Sequence, residues 1–199
     1  MQTFLLASHN AKKLEELSRI LEPLGFKVIS PKEINGGITE PEENGLSFEE
    51  NALIKARCAA KETGMPAIAD DSGLCVDALD GAPGIYSARY AGTGNDDDNN
   101  ALLLNNLVNV PDEDRTARFV SSIACVFPDG KEFTVRGTVE GKIGFELQGN
   151  GGFGYDPLFI TEWGCFGLLS PEKKDKVSHR HNAIIKFTEE LKKYINAEV

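Results

Sequence analysis

The sequence predicts an α/β protein with a mixed β-sheet, and two patterns in the chain support this fold class. In the amino-terminal third, apolar runs typical of strands alternate with segments of helical periodicity. Between residues 118 and 143, two strand-rich stretches follow one another without a helix between them. Strands separated by a helix usually pair in parallel, whereas strands that follow one another directly usually pair antiparallel. The two patterns together therefore indicate a sheet that contains both kinds of pair.

The first strand and helix are predicted close to the amino terminus. Residues 4–7 form an apolar run typical of a buried strand, and the segment after it is predicted to be a helix that ends before Gly25. The apolar positions of that helix, at helical spacing, are Leu14, Leu17, Leu21 and Leu24. Residues 28–29 suggest a second short strand.

A second helix is predicted from the capping box of residues 47–50, whose serine accepts from the backbone three residues on while its glutamate reaches back. Gly64 is a suitable C-cap for this helix. Residues 67–69 are the next predicted strand. Asp70 and Asp71 are therefore expected at the carboxyl end of that strand.

The second half of the chain is predicted to contain a hairpin and a terminal helix. Residues 118–127 and 132–143 read as strands, and Pro-Asp-Gly-Lys at 128–131 is a hairpin signal. The biased segment "NDDDNN" at 95–100 is predicted to be a solvated loop or the cap of a helix through Leu102. The last segment is predicted to be an amphipathic helix with apolar positions Ile184, Phe187, Leu191, Tyr194 and Ile195.

Length and composition exclude several functional classes. With 199 residues, 41% of them hydrophobic and 26% charged, the chain suits a single globular domain. The formal charge is −10, from 21 basic and 31 acidic side chains, and no arginine-lysine block or basic helix stripe relieves it. Broad electrostatic binding to nucleic acid or to an anionic membrane is therefore not expected.

A cytoplasmic location is expected from the apolar runs of the chain. The apolar stretch after Met1 is too short for a signal-peptide core, and no later run approaches the length of a membrane span. The four cysteines contain no Cys-x-x-Cys pair, so neither a zinc site nor a disulfide framework is indicated. They are Cys58, Cys75, Cys125 and Cys165.

The adjacent carboxylates of Asp70 and Asp71 are the first candidate site. In a strand, Asp70 shares a face with Ile68 and Asp71 shares the opposite face with Ala69, so only one of the two acids is expected to face a given cleft. A carboxylate at the end of a strand can hold a hard cation or orient a water molecule. The alternative is that both aspartates cap the turn into residues 72–73.

Two further candidates are a helix start and a glycine-rich segment. Residues 8–13 follow a strand and open a helix, where backbone N–H groups and a lysine could hold a phosphate, although first-turn lysines are mostly solvated. Residues 149–154 match G-x-G-x-x-G but lead into a proline-interrupted run, so a dinucleotide site is rejected. Phe153 there could lie against a planar ligand or pack in the core. Residues 137–142 are not a P-loop, because one spacer residue and the magnesium-binding hydroxyl of that motif are missing.

The densest cationic segment precedes the last helix. It contains Lys173, Lys174 and Lys176, followed by Ser178-His179-Arg180-His181. Arg180 could donate a forked pair of hydrogen bonds to an anion or carbonyl, but the charges could equally be solvated. No motif of a serine or cysteine nucleophile is present, so covalent catalysis has little support.

Six motifs follow one another in order over nearly the whole chain. They are Ser8-x-Asn10-x-x-Lys13, Glu42-Glu43-x-Gly45-x-Ser47-Phe48-x-Glu50-Asn51-Ala52-x-x-Lys55-Ala56, Ala69-Asp70-Asp71-Ser72-Gly73-Leu74, Gly81-Ala82-Pro83-Gly84-x-x-Ser87-Ala88-Arg89-Tyr90, Gly152-Phe153-Gly154-Tyr155-Asp156-Pro157 and Ser178-His179-Arg180. Together they resemble the non-canonical purine nucleoside triphosphate pyrophosphatases, the inosine triphosphatase family that is also called Ham1 or RdgB-like.

The resemblance implies one pyrophosphatase domain over residues 1–199, with an elongated mixed sheet, two lobes and an active-site cleft between them. It implies a Mg²⁺-dependent homodimer that converts ITP, dITP or XTP to the monophosphate and pyrophosphate and so cleans the nucleotide pool. The alternatives are a nucleotide-binding regulatory module without turnover, a metal-dependent phosphatase and a pyrophosphatase of other nucleotides.

The resemblance also implies roles for individual residues. Asp71 would be the proton acceptor and a metal ligand, Glu42 the second metal ligand, and Arg180 one of the residues around the base and sugar. We hypothesise further that base selection rests on donors, Arg180 foremost, aimed at the 6-oxo group of the purine. The implied substrate-binding residues are Ser8, His9, Asn10, Ala11, Lys12, Lys13, Lys55, Ser72, Phe153, Gly154, Tyr155, Asp156, Lys174, His179 and Arg180. The chain departs from the family at His9, where glycine is frequent, and at Leu168 and Lys173, which leaves the choice of Lys174 over Lys173 or Lys176 open.

Overall fold

The computed structural model describes residues 2–196, with the side chains of residues 2–194. The described residues form a seven-stranded sheet in the spatial order β2-β1-β3-β4-β5-β6-β7. The strands are β1 (Gln2–Leu6), β2 (Phe26–Ile29), β3 (Ala67–Val76), β4 (Thr116–Val126), β5 (Glu132–Ile143), β6 (Phe159–Thr161) and β7 (Gly164–Cys165).

The sheet contains both strand directions. Strand β1 pairs in parallel with β2, with Phe4 opposite Val28, and in parallel with β3, with Leu6 opposite Ile68. Strand β6 pairs antiparallel with β5 and with β7. Strands β4 and β5 are joined by the predicted turn, in which the Phe127 N–H donates to the Lys131 carbonyl oxygen at 2.9 Å. The predicted α/β class with a mixed sheet is confirmed.

The α-helices of the described residues are α1 (Ala11–Leu21), α2 (Phe48–Thr63), α3 (Asp96–Asn106), α4 (Pro171–Lys174) and α5 (His179–Asn196). Three of the helices, α1, α2 and α3, begin after side chains that the sequence offers as caps, namely Asn10, Ser47 and Asn95. Ser47 accepts from the Glu50 N–H at 3.1 Å, and Gly64 ends α2 with a φ of 67°. Asn95 accepts from the N–H groups of residues 97 and 98, so the biased segment is a helix cap and not a loop.

Among the element boundaries that differ from the prediction, two have a physical reason in the chain. Helix α1 stops at Leu21 and continues as a 3₁₀ turn over Glu22–Leu24, where proline at position 23 removes a helical donor. Strand β3 does not end at the paired aspartates but runs through them to Val76. A strand can continue through acidic residues only when their charges are met, as they are here by partners described below.

The chain divides into two compact units. The first unit comprises the residues up to Asp71, Ser121–Gly137 and the residues from Arg180 onward; the second comprises Ser72–Val120 and Thr138–His179. The single domain over 1–199 stays a prediction.

In the first unit, β-strands are covered on two faces. Apolar residues of α1 and α5, including Leu17 and Ile184, pack with Ile68, whereas the alanines of α2, including Ala52 and Ala56, pack with Ala69. This confirms the amphipathic character of α5, except at Ile195, whose side chain lies outside the described residues.

The second unit has its own apolar core. The core joins side chains of β3, α3, β4, β5 and the segments after them: Leu74, Val76, Leu103, Leu107, Ala117, Phe119, Val139, Ile143, Tyr155, Leu158, Phe159 and Phe166. Within residues 2–196, no helix combines the length and the apolar character that a membrane span requires.

Candidate active site

The two adjacent aspartates of β3 face different surroundings, as strand geometry predicts. Asp70 contacts the Arg180 guanidinium at 3.1 Å and the Lys13 ammonium at 3.1 Å, on the side of α1 and α5. Asp71 accepts from the Lys55 ammonium at 2.8 Å, on the side of α2. The alternative that both aspartates only cap a turn is wrong, because the strand continues beyond them.

Asp70 is a fully buried carboxylate that is surrounded by donors. Burial by itself would raise the pKa of Asp70, but the charges of Arg180 and Lys13, with the Ser121 hydroxyl, outweigh burial and hold that pKa well below its ordinary value. Asp70 is therefore ionised and saturated with partners. Its environment is that of a structural charge that fixes the two cations.

Asp71 has the opposite electrostatic character. Burial raises the pKa of Asp71, and the attraction of Lys55 offsets this only in part. Its Oδ1 binds Lys55, whereas its Oδ2 is buried and has no hydrogen-bond partner among the described residues. A buried carboxylate with one unpaired oxygen and a raised pKa is suited to accept a proton or to bind a cation.

Lys55 and Glu43 complete the surroundings of Asp71. Burial would lower the pKa of Lys55, but Asp71, followed by Glu43 and Asp70, outweighs it and raises that pKa. The pKa of Lys55 rises because three carboxylates stabilise its charge. The pKa of Asp71 also rises, because burial and the nearby charge of Glu43 both disfavour its ionised form. Lys55 is thus a fixed cation.

The glutamate that reaches this group is Glu43. Its Oε1 lies 3.3 Å from the Lys55 ammonium, and its charge acts on Asp71. Glu42, the glutamate that the resemblance implies as a metal ligand, is exposed. Sequence reasoning passed over Glu43 because two adjacent glutamates on an extended loop carry no periodicity that tells their directions apart.

The loop between β1 and α1 is held by short polar contacts. The Asn10 side chain accepts from the N–H groups of Lys12 and Lys13, and the Asn10 N–H donates to the Ser8 hydroxyl at 3.2 Å. Exposed His9 contacts Glu40 at 2.5 Å. Two backbone donors of the helix start are therefore already used by Asn10, and the Lys13 ammonium is fixed by Asp70 at the same end of the helix.

Glu16 is a buried carboxylate that the sequence did not single out. It binds the Arg180 guanidinium, whose other terminal nitrogen binds Asp70, and Arg180 is 0% exposed. The signal was present, since Glu16 lies in the sequence between apolar positions Leu14 and Leu17 of the first helix. Arg180 is consequently a buried member of an ion-pair network and not a solvated charge.

In the second unit, the loop that carries Phe153 and Asp156 is closed by a buried lysine. The Lys174 ammonium binds Asp156 Oδ2 at 2.7 Å and lies 4.8 Å from the centre of the Phe153 ring. The same Asp156 oxygen accepts from the Phe153 N–H at 2.8 Å. These contacts fix an aromatic ring, a carboxylate and an ammonium relative to one another.

The structure distinguishes Lys174 from its neighbours. Lys174 is 6% exposed, whereas Lys173 and Lys176 are exposed. His179 is also buried, with its ring stacked on Phe119 at 4.8 Å between centroids. The charges of this cationic segment are therefore not simply solvated.

Gly152 is required where it stands. Its φ is +72°, and a Cβ atom on it would lie 1.9 Å from Asp156 Oδ2. No helix follows residues 149–154, so this segment is not a dinucleotide fingerprint, and residues 137–142 lie inside β5, so they do not form a P-loop. Both rejections are confirmed.

The model of the Ham1 family matches residues 4–190 of this chain. The chain belongs to the Ham1 family. It is 52% identical over 189 residues to a dITP/XTP pyrophosphatase of Nocardia farcinica, with 92% of each chain covered. It is 51% identical over 199 residues to a dITP/XTP pyrophosphatase of Desulforamulus reducens, with 98% of each covered. The resemblance seen in the six motifs is confirmed.

Solved structures agree with this membership. A HAM1 protein from Coxiella burnetii has a TM-score of 0.86 and 39% identity, with 97% of this chain and 100% of that chain covered. A nucleoside-triphosphatase / dITP/XTP pyrophosphatase from Mycobacterium abscessus has a TM-score of 0.76 and 47% identity, with 94% of this chain and 97% of that chain covered.

The residues that the Ham1 resemblance implies fall into two groups. In the first unit they are Ser8, His9, Asn10, Ala11, Lys12, Lys13, Glu42, Lys55, Asp71 and Arg180. In the second unit they are Ser72, Phe153, Gly154, Tyr155, Asp156, Lys174 and His179. Within residues 2–196, no three His, Cys, Asp or Glu side chains converge as a ready metal site. A cation held here would need oxygen ligands from elsewhere, as Mg²⁺ commonly takes from phosphates and water.

Proposed function

We propose that this Ham1 chain hydrolyses non-canonical purine nucleoside triphosphates, namely dITP, XTP and ITP, to the monophosphate and pyrophosphate. The names of its relatives from Nocardia farcinica and Desulforamulus reducens support the activity and the first two substrates. The observation that carries the chemistry is Asp71, a buried carboxylate with a raised pKa and one unpaired oxygen beside the Lys55 ammonium. Nucleotide-pool cleaning is the corresponding role.

The cofactor in this proposal is Mg²⁺. The unpaired Asp71 Oδ2 is a hard oxygen donor of the type that Mg²⁺ prefers, and exposed Glu42 is the second proposed ligand. When bound, the ion would supply charge neutralisation at the phosphate oxygens. Glu43 lies beside Lys55 in the same loop, so it adds negative charge to this site.

The residues of the first unit would act on the triphosphate. Lys13 and Lys55 are cations fixed by carboxylates, and they would offset the negative charge that develops on the leaving pyrophosphate. Ser8, Asn10 and Lys12 lie in the same loop and first helical turn as Lys13, where they would contact phosphate oxygens.

Asp71 would accept the proton of the attacking water. The water oxygen forms a bond to the α-phosphorus while the bond from that phosphorus to the bridging oxygen breaks, and pyrophosphate leaves with the electron pair. The proton of the water passes to the Asp71 carboxylate. The raised pKa of Asp71 makes it a stronger base than an ordinary aspartate.

The base is assigned to the second residue group and to Arg180. Phe153 offers a ring for stacking, and Lys174 and Asp156 offer fixed polar groups beside it. Arg180 is the proposed donor to the 6-oxo group, and its contacts with Glu16 and Asp70 fix the plane of its guanidinium. Adenine presents an amino group at that position, which would face a donor and be disfavoured.

The homodimer and the cytoplasmic location stay predictions. The first rests on the Ham1 resemblance, and the second is the expectation drawn from the apolar runs of the sequence. A second candidate function, nucleotide binding without turnover, has no observation that favours it.

The test is turnover with a panel of nucleotides. The protein is incubated with ITP, XTP, ATP and dTTP, with and without Mg²⁺, and pyrophosphate and phosphate are measured separately. We expect pyrophosphate from ITP and XTP, in the presence of Mg²⁺, and little product from ATP or dTTP. Release of single phosphates, or no turnover, would contradict the proposal.

A further inference from the structure

The first turns of helix α3 hold the loop that carries Phe153 in a specific way. Asp96 accepts through Oδ2 from the Gly154 N–H at 2.8 Å. Asn100 donates from Nδ2 to the Gly154 carbonyl oxygen at 3.0 Å. Since residues four apart lie on the same face of a helix, one face of α3 binds both backbone polar groups of a single residue.

Gly154 is a position where such support has a large effect. Its φ is +60°, in the left-handed region, and glycine loses more conformational freedom on ordering than any other residue. It lies between Phe153 and the residues Tyr155 and Asp156. A change in the Gly154 dihedral angles would therefore move the Phe153 ring relative to the Asp156 carboxylate.

Neighbouring hydrogen bonds attach α3 and the loop around Gly154 to the rest of the second unit. Asn99 accepts from the Ala91 N–H at 2.8 Å and donates to the Ala88 carbonyl oxygen at 3.3 Å. The Tyr155 hydroxyl donates to the Ser87 carbonyl oxygen at 2.8 Å. Helix α3 and the loop after Gly154 are therefore attached to the same preceding segment, which makes α3 a rigid support.

We propose that Asp96 and Asn100 are positioning residues, which hold the Gly154 peptide and thereby set how strongly the Phe153–Asp156 loop discriminates between purine bases. This inference rests on the proposed function, because discrimination requires that the loop meets the base. Asp96 and Asn100 would act through Gly154 and would not touch the substrate.

The central variant is Asp96→Ala, with Asp97→Ala as its matched control. Both substitutions remove one negative charge from the first turn of α3, but the Asp97 side chain is exposed, and its backbone N–H remains capped by Asn95. Asp96→Asn keeps an acceptor oxygen for the Gly154 N–H and serves as the conservative rescue. Asp96 is itself exposed, so its replacement is not expected to prevent folding.

Two measurements are made on each variant. One is the ratio of kcat/KM for ITP to kcat/KM for ATP, and the other is hydrogen–deuterium exchange of the Gly154 amide. For Asp96→Ala we expect the ratio to fall about three- to tenfold, the value of one lost hydrogen bond, and the amide to exchange faster. Asp97→Ala should match the wild type in both, and Asp96→Asn should recover most of the ratio.

The outcomes separate this inference from the proposed function. If the wild type does not hydrolyse ITP, the proposed function fails, and the inference about discrimination falls with it, whatever the exchange data show. If the wild type is active and Asp96→Ala keeps the wild-type ratio, the inference alone is overturned. An equal fall of the ITP-to-ATP ratio in Asp96→Ala and Asp97→Ala would also overturn it, because the lost negative charge at the start of α3 would then explain the effect.

Discussion

The adjacent aspartates of β3 provide a direct test, because the structure predicts that the same substitution has opposite consequences at the two positions. Asp70→Asn removes a carboxylate that is fully buried against Arg180 and lies 3.1 Å from Lys13. Removing one partner of a buried ion pair costs about 3–5 kcal/mol, since the other charge stays buried. Glu16 still binds Arg180, so we expect the low end, about 3 kcal/mol.

Asp71→Asn should leave the stability nearly unchanged. The raised pKa of Asp71 means that its surroundings disfavour the charge, and Lys55 keeps Glu43 as a partner at 3.3 Å. We expect a change in the free energy of unfolding below about 1 kcal/mol, but a loss of turnover of about 10²- to 10⁴-fold, because the proposed proton acceptor is gone.

Urea and thermal unfolding of both variants, beside ITP turnover, measure these quantities. A loss of about 3 kcal/mol corresponds to a fall in Tm of roughly 6–12 °C for a chain of this size. Equal destabilisation by the two substitutions would refute the division of roles. ITP turnover by Asp71→Asn at close to the wild-type rate would also refute it, because another group would then have to accept the proton.

Three further substitutions test the second unit. In Gly152→Ala the new Cβ would meet Asp156 Oδ2, so kcat/KM for ITP should fall about tenfold or more. In Gly154→Ala the new Cβ meets no atom within 4 Å, so urea unfolding should show a loss of about 1–2 kcal/mol from the left-handed backbone. In Arg115→Lys the guanidinium that donates to the carbonyl oxygens of Ile143, Leu107 and Gly144 is lost, and urea unfolding should show a loss of about 2–4 kcal/mol; an unchanged midpoint of unfolding would contradict this role of the Arg115 guanidinium.

The sequence determined the local structure well where periodicity or capping is strong. Strand β5 begins and ends at the predicted residues 132 and 143, and α2 has the predicted caps. The opposite faces of Asp70 and Asp71 also followed from strand geometry alone, because the side-chain period of a strand is fixed at two.

The predicted end of β3 was wrong because it depended on distant partners. Acidic residues are disfavoured in strands, so the sequence indicated that β3 ends at Ala69, just before Asp70 and Asp71. The strand continues because Arg180 and Lys13, far away in sequence, neutralise that carboxylate. No local pattern contains this information.

For the candidate site, the sequence by itself determined the residue types and the family, through six motifs in order. Only the tertiary structure decided which of the clustered residues is buried or paired: Lys174 is the buried lysine of its cluster, Glu43 lies beside Lys55, and α3 binds Gly154. The physical reason is that burial, pairing and pKa depend on neighbours in space. A sequence gives their identity but not their distance.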